Sequence, residues 1–98
     1  MSQAHLASLA KGEYQIKGEL TFATVPTVWQ SAQGLFSGEH LYFDLAQVTR
    51  ADSAALALVL EWLRLAQARG VNLRLGHVPP QLLAVAKVSG VESLLPLA

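Results

Sequence analysis

The chain has no cysteine. That excludes a disulfide scaffold and a thiolate zinc site, and it fits a reducing compartment. Charge is scarce as well. Only 14% of the residues are charged, with seven basic and seven acidic side chains and a net charge of zero. Ordinary soluble proteins carry roughly 25%. A nucleic-acid binder normally shows a basic stripe, and none is expected here. The three histidines, His5, His40 and His77, lie far apart without metal-ligand spacing. A Walker phosphate loop and the glycine fingerprint of a dinucleotide site are also missing from the sequence. No general base, metal set or nucleotide cradle is suggested, so catalysis, a cofactor and a small-molecule substrate are not expected.

The first residues, MSQAHLASLAKGEYQ, lack the basic start and apolar run of a secretory signal. The longest apolar run begins at Ala54 and is broken by Glu61 and then Arg64. It falls well short of the ~20 residues that span a bilayer. The expectation is a cytoplasmic protein with no direct membrane insertion.

Aliphatic residues are what the chain has in excess. It is 52% hydrophobic over 98 residues, and Leu and Ala make up about a third of it. This length allows one domain, spanning residues 1–98. A domain so small cannot bury all of that apolar surface, which leaves some for a partner.

Patterning gives the order β-β-α-β-α-β-α. His5 to Ala10 reads as a strand, Lys11-Gly12 as a turn, and Glu13 to Leu20 as a second strand with period-two alternation. A helix starts near Thr24-Val25-Pro26, with Thr24 able to cap and Pro26 in the first turn, and frays at Gly34 and Gly38. His40 to Leu45 reads as a central strand, followed by a loop from Ala46 to Ala51. A long helix runs from Ser53 to Ala68, capped by Asp52 and stopped by Gly70. Val71 to Leu75 is a fourth strand, and Pro79-Pro80 open a third helix that ends at Gly90. Val91 to Leu97 is a short apolar tail with room for one helical turn. Strand-helix-strand units imply parallel pairing. The expected fold is α/β: a mixed four-stranded sheet with helices mostly on one face.

The long helix carries two apolar stripes when projected at about 100° per residue. Leu56, Val59, Leu60 and Leu63 are expected to face the sheet, with Ala57, Glu61, Arg64 and Ala68 on a polar-to-small side. Leu58, Trp62 and Leu65 form a second stripe that needs another surface. That surface is either a neighbouring helix or the hairpin, or another protein docked with Trp62 as an anchor. Ahead of this helix, Asp44, Asp52 and Ser53 cluster near its N-terminus, where free N–H groups favour acids and phosphate. Capping by Asp52 leaves room for a contact or switch role at Ser53.

The ordered set Asp44-Leu45, Val48, Asp52-Ser53-Ala54-Ala55-Leu56, Gly70, Pro79/Pro80 and Gly90-Val91 resembles the STAS domain family over nearly the whole chain. The resemblance implies a STAS-like fold. Antagonists of anti-sigma factors in this family typically carry Asp-Ser-Ser-Gly and are phosphorylated at the second hydroxyl position. Here that position is Ala54 and the glycine is Ala55, so only Ser53 remains as a candidate phosphoacceptor. One hydroxyl followed by two small residues is similar to the MlaB-type branch, as are Gly18-Glu19-Leu20, Trp29 in the first helix and the ALALVL core of the second.

That branch implies a non-catalytic accessory subunit of an Mla-type phospholipid-transport ABC complex, which maintains outer-membrane lipid asymmetry. It implies binding to the cytoplasmic (MlaF-like) ATPase subunit and, through it, the membrane permease. The protein would then sit peripheral to the inner membrane. Asp52, Ser53, Ala54, Ala55, Leu58, Trp62 and Leu65 are the expected partner-binding residues. The alternative is an anti-sigma-factor antagonist that binds an anti-sigma factor kinase.

Overall fold

The computed structural model describes residues 3–98. Its four strands are β1 (Ala4–Ala10), β2 (Glu13–Leu20), β3 (His40–Ala51) and β4 (Asn72–Gly76). The helices are α1 (Val25–Ala32), α2 (Ser53–Arg69) and α3 (Pro80–Val88), with 3-10 turns at Gln33–Leu35 and Glu92–Leu94. The strands lie in the order β1-β2-β3-β4. β1 and β2 form the expected antiparallel hairpin, while β2 with β3 and β3 with β4 pair in parallel. Hairpin, crossover and mixed sheet therefore follow the sequence pattern. Among the described residues no helix is long and apolar enough to cross a membrane.

Alternation sets the two faces of the sheet. Ile16 and Leu20 of β2, Leu41, Phe43 and Leu45 of β3, and Leu73 and Leu75 of β4 are buried under the helices. Glu13, Lys17, Gln47, Arg50, Asn72 and Arg74 are exposed on the opposite face. Gly18 marks a close approach: its φ is +96°, and a Cβ there would collide with the carbonyl of Gln3, just before β1. Only glycine meets both demands.

Two sequence expectations are corrected. The segment Ala46–Ala51 is not a loop. It continues β3, whose Gln47, Val48, Arg50 and Ala51 pair with Lys17, Gly18, Glu19 and Leu20. Two register shifts interrupt this stretch and break the period-two signal, and its outer face stays polar because water covers it. The apolar tail also does more than form one turn. Beyond Glu92–Leu94, the Leu75 amide donates to the Pro96 carbonyl (2.8 Å) and the Ala98 amide donates to the Leu75 carbonyl (2.9 Å). The tail thus lies along the free edge of β4, in parallel at Leu97.

The face of α2 is a third correction. Ala55, Leu58, Val59, Trp62 and Ala66 form the buried stripe, with Leu56 at its margin. Leu60 and Leu63, expected to face the sheet, are only half-buried. The centre of the true stripe consists of two alanines and a tryptophan. Trp62, the large side chain among them, reaches the sheet itself. Its ring lies 4.6 Å from that of Phe43, which also meets Phe36 (6.0 Å) and Tyr14 (6.3 Å) edge-on. The outward side of Ala57, Glu61, Arg64 and Ala68 is exposed as the projection requires. There Arg64 is bonded to Glu61 at 2.9 Å, which raises its pKa, but an exposed pair of this kind adds little stability.

The buried Trp62 indole N–H has no hydrogen-bond partner among the described residues. Trp62→Ala is expected to cost about 3–5 kcal/mol in urea unfolding. Trp62→Phe should cost clearly less, because the unpaired N–H leaves with the smaller ring. Equal losses in the two variants would contradict this placement.

Candidate functional site

The head of α2 is built by one carboxylate. Asp52 occupies the N-cap in extended conformation, and its Oδ1 accepts from the Ala54 amide at 2.8 Å. Its Oδ2 accepts from the Phe22 amide at 3.2 Å, in the loop joining β2 to α1. The Asp52 amide in turn donates to the Leu20 carbonyl at 3.2 Å. The cap expected from sequence is present, and it also ties the β2–α1 loop to the start of α2.

The β2–α1 loop is fixed from within. Thr24 precedes α1, but its side chain does not cap that helix. Instead its hydroxyl accepts from the Thr21 amide (3.0 Å) and donates to the Glu19 carbonyl (2.6 Å). Both threonines are buried. The loop is thus held by side-chain and backbone bonds, while Phe22 at its tip is 82% exposed. A rigid loop that presents a large aromatic ring to solvent loses little entropy on docking.

On the other side of α2, the Gln81 Oε1 of α3 accepts from the Ala51 amide at 2.9 Å. The β3–α2 junction is therefore gripped from both flanks. Asp44 lies elsewhere, on the open face of the sheet. Its Oδ1 accepts from the Ala46 amide (2.9 Å) and pairs with His77 Nδ1 (3.2 Å). His77 is the one described non-glycine residue with positive φ, at 54°. Asp44 serves that turn and is not grouped with Asp52 and Ser53.

The sequence-expected site residues divide into two sets. Asp52, Ser53 and Ala54 come together at the helix head, with Ser53 exposed and Ala54 half-buried. Ala55, Leu58 and Trp62 do not join them at the surface. They are 0%, 2% and 0% exposed, inside the domain's own core. Trp62 and Leu58 cover the sheet and leave no free face to a partner. Leu65 is half-buried, in a shallow cleft with Trp29, Arg64 and Ala68. The sequence reading missed Phe22, although an aromatic residue among small and hydroxyl residues in Thr21-Phe22-Ala23-Thr24 was a usable signal.

A family model described as "Mlab, STAS domain" matches residues 7–96. No curated protein sequence matches the chain. Among solved structures, the chain is similar to the anti-sigma factor antagonist SpoIIAA in its unphosphorylated form. The TM-score is 0.70 at 20% identity, covering 97% of this chain and 87% of that one. It is also similar to a Thermotoga maritima protein proposed to be an anti-sigma factor antagonist. There the TM-score is 0.73 at 12% identity, covering 96% and 84% of the two chains. At these identities the likeness is one of fold.

Asp52→Ala removes both bonds of the carboxylate. The expected cost is about 1–2 kcal/mol of unfolding free energy, at the upper end for a helix cap. Faster hydrogen exchange should appear at the Phe22 and Ala54 amides together. Acceleration at Ala54 alone would show that the loop is held without Asp52.

Proposed function

The chain belongs to the STAS domain family, and from its match to the MlaB model we propose that it is a non-catalytic accessory subunit of an Mla-type phospholipid-transport ABC complex. In this reading it binds the cytoplasmic ATPase subunit, supports its assembly or activity, and reaches the membrane permease only through it. The protein is then cytoplasmic and peripheral to the inner membrane, and it serves outer-membrane lipid asymmetry.

One observation carries the choice of surface. Ser53 and Phe22 are both exposed near the Asp52 carboxylate, which accepts from the Phe22 amide and from the amide of Ala54, the residue after Ser53. Ala54 and Ala57 beside them are small, so a partner backbone can come close to the first turn of α2. Phe22 is the apolar anchor that the buried Trp62 cannot be. Ser53, exposed in the first turn of α2, takes the contact role that the buried Trp62 and Leu58 cannot.

The exposed hydroxyl of Ser53 at a helix N-terminus also favours a second reading, a phosphorylated antagonist of an anti-sigma factor kinase. Ala54 at the usual phosphoacceptor position weighs against it.

The test measures binding of the purified chain to the ABC ATPase subunit. Ser53→Arg and Phe22→Ser should each weaken binding at least about tenfold, a loss of ~1.4 kcal/mol or more. Glu13→Gln, on the open sheet face, should leave it unchanged. Thermal unfolding confirms that all three variants are folded. Undiminished binding in both site variants would remove this surface from the interface. Absence of ATPase binding by the unaltered chain, with phosphate incorporated at Ser53 by an anti-sigma factor kinase, would favour the second reading.

A further inference from the structure

The two edges of the sheet are treated differently. The edge of β4 is closed by the C-terminal tail through the Leu75 amide and carbonyl. The outer edge of β1 has no strand beside it among the described residues. The orientation of its backbone follows from the hairpin. The Gln3 carbonyl accepts from the Glu19 amide at 2.9 Å, and His5 and Ala7 face Lys17 and Gln15 in the same phase. In an antiparallel ladder these residues bond inward, and the alternate residues Ala4, Leu6 and Ser8 turn their N–H and C=O groups outward.

Exposed edges are usually blunted with lysine, proline or inward charge. β1 reads Ala-His-Leu-Ala-Ser-Leu-Ala and has none of these. An irregularity between Ser8 and Ala10 lies beyond Ala4–Ser8 and leaves that ladder regular.

We propose that β1 pairs with β1 of a second copy of this chain, antiparallel about a two-fold axis at Leu6, to form one continuous eight-stranded sheet. The register is specific. An axis at Leu6 sets Ala4 opposite Ser8 and Leu6 opposite Leu6, so all three outward-facing residues find partners. An axis at His5 sets Ser8 opposite position 2, outside the described residues, and one at Ala7 sets Ala4 opposite Ala10, beyond the irregularity in the strand. The chosen register also sets His5 opposite Ala7, so the one titratable side chain of the strand never meets its copy. Leu6 and its copy meet on the helix side of the sheet, where Leu6 already packs against the core. A closed two-fold pairing uses up both free edges, so it ends at a dimer. The α2 head follows the end of β3, with β2 between it and this edge, and Ala23 and Thr24 of the β2–α1 loop line a cleft with Gln3, Ala4 and His5.

The test is sedimentation equilibrium of the full chain from low micromolar to near-millimolar concentration, with amide exchange measured alongside. The mass should rise from 10.5 kDa toward twice that value, and the Ala4, Leu6 and Ser8 amides should gain protection as it does. Ser8→Pro removes one outward donor, and Ser8→Lys places a charge at an exposed position of the edge. Each should shift the chain to monomer by at least tenfold in dissociation constant. If the proline variant fails to fold, the lysine variant decides. A monomer at every concentration would overturn the proposal. So would a dimer whose Ala4, Leu6 and Ser8 amides exchange as fast as in the monomer, or one that Ser8→Lys leaves intact.

Discussion

The packing of Trp62 on Phe43 is the contact from which the rest of the arrangement follows. At 4.6 Å between ring centroids it joins the middle of α2 to the first half of β3. Ala55 and Ala66, one to two turns either side, are buried on the same face of the helix. The contact also fixes the rotation of α2. With Trp62 pointing inward, Ser53, Ala57, Glu61 and Arg64 must point outward. The surface a partner can reach is therefore set by which side chain the core takes. The unpaired indole N–H is a cost that the fold accepts for this fit, set against the large apolar area of the ring.

The rotation of α2 gives Asp52 its second task. A helix cap normally answers only to its own helix. Here the same carboxylate also receives the Phe22 amide, so the entry to α2 and the loop before α1 form one unit. Gln81 adds α3 to that unit through Ala51. Three segments distant in sequence thus share a rigid corner, and the exposed Phe22 and Ser53 sit on it. The Asp52 carboxylate and the Gln81 side-chain oxygen accept from backbone amides there, while Ser53 and Phe22 are exposed. The unequal sheet edges fit the same economy of contacts. The tail closes β4, where the core under Leu73 and Leu75 must be kept dry, and β1 is left able to pair.

Much of the fold was legible because local signals agreed with tertiary demands. Glu13–Leu20 alternates cleanly because one face meets helices and the other meets water. Asp52 and Gly70 bracket α2 as cap and left-handed stop, since those ends are decided within a few residues. The continuation of β3 to Ala51 was not legible. Register shifts opposite Lys17 and Glu19 break the alternation, and the partner strand lies about thirty residues away. The site was legible at Asp52, Ser53 and Ala54, again for local reasons. At Phe22 the sequence offered only an aromatic residue among Thr21, Ala23 and Thr24, and not its fixing, because its amide is held by a residue thirty positions on.

The sequence by itself determined the order of elements, their parallel and antiparallel pairing, and the capped helix head that resembles the STAS family. Periodicity and capping act over a few residues, so they can be read without knowing what lies across the core. Only the tertiary structure decided which stripe of α2 faces inward. Two apolar stripes compete for one sheet, and hydrophobicity alone favours leucine over alanine. The outcome rests on shape, because alanines at 55 and 66 with a tryptophan between them fill the space over Phe43. That choice placed Trp62 and Leu58 in the core and left Ser53, beside Phe22, facing outward.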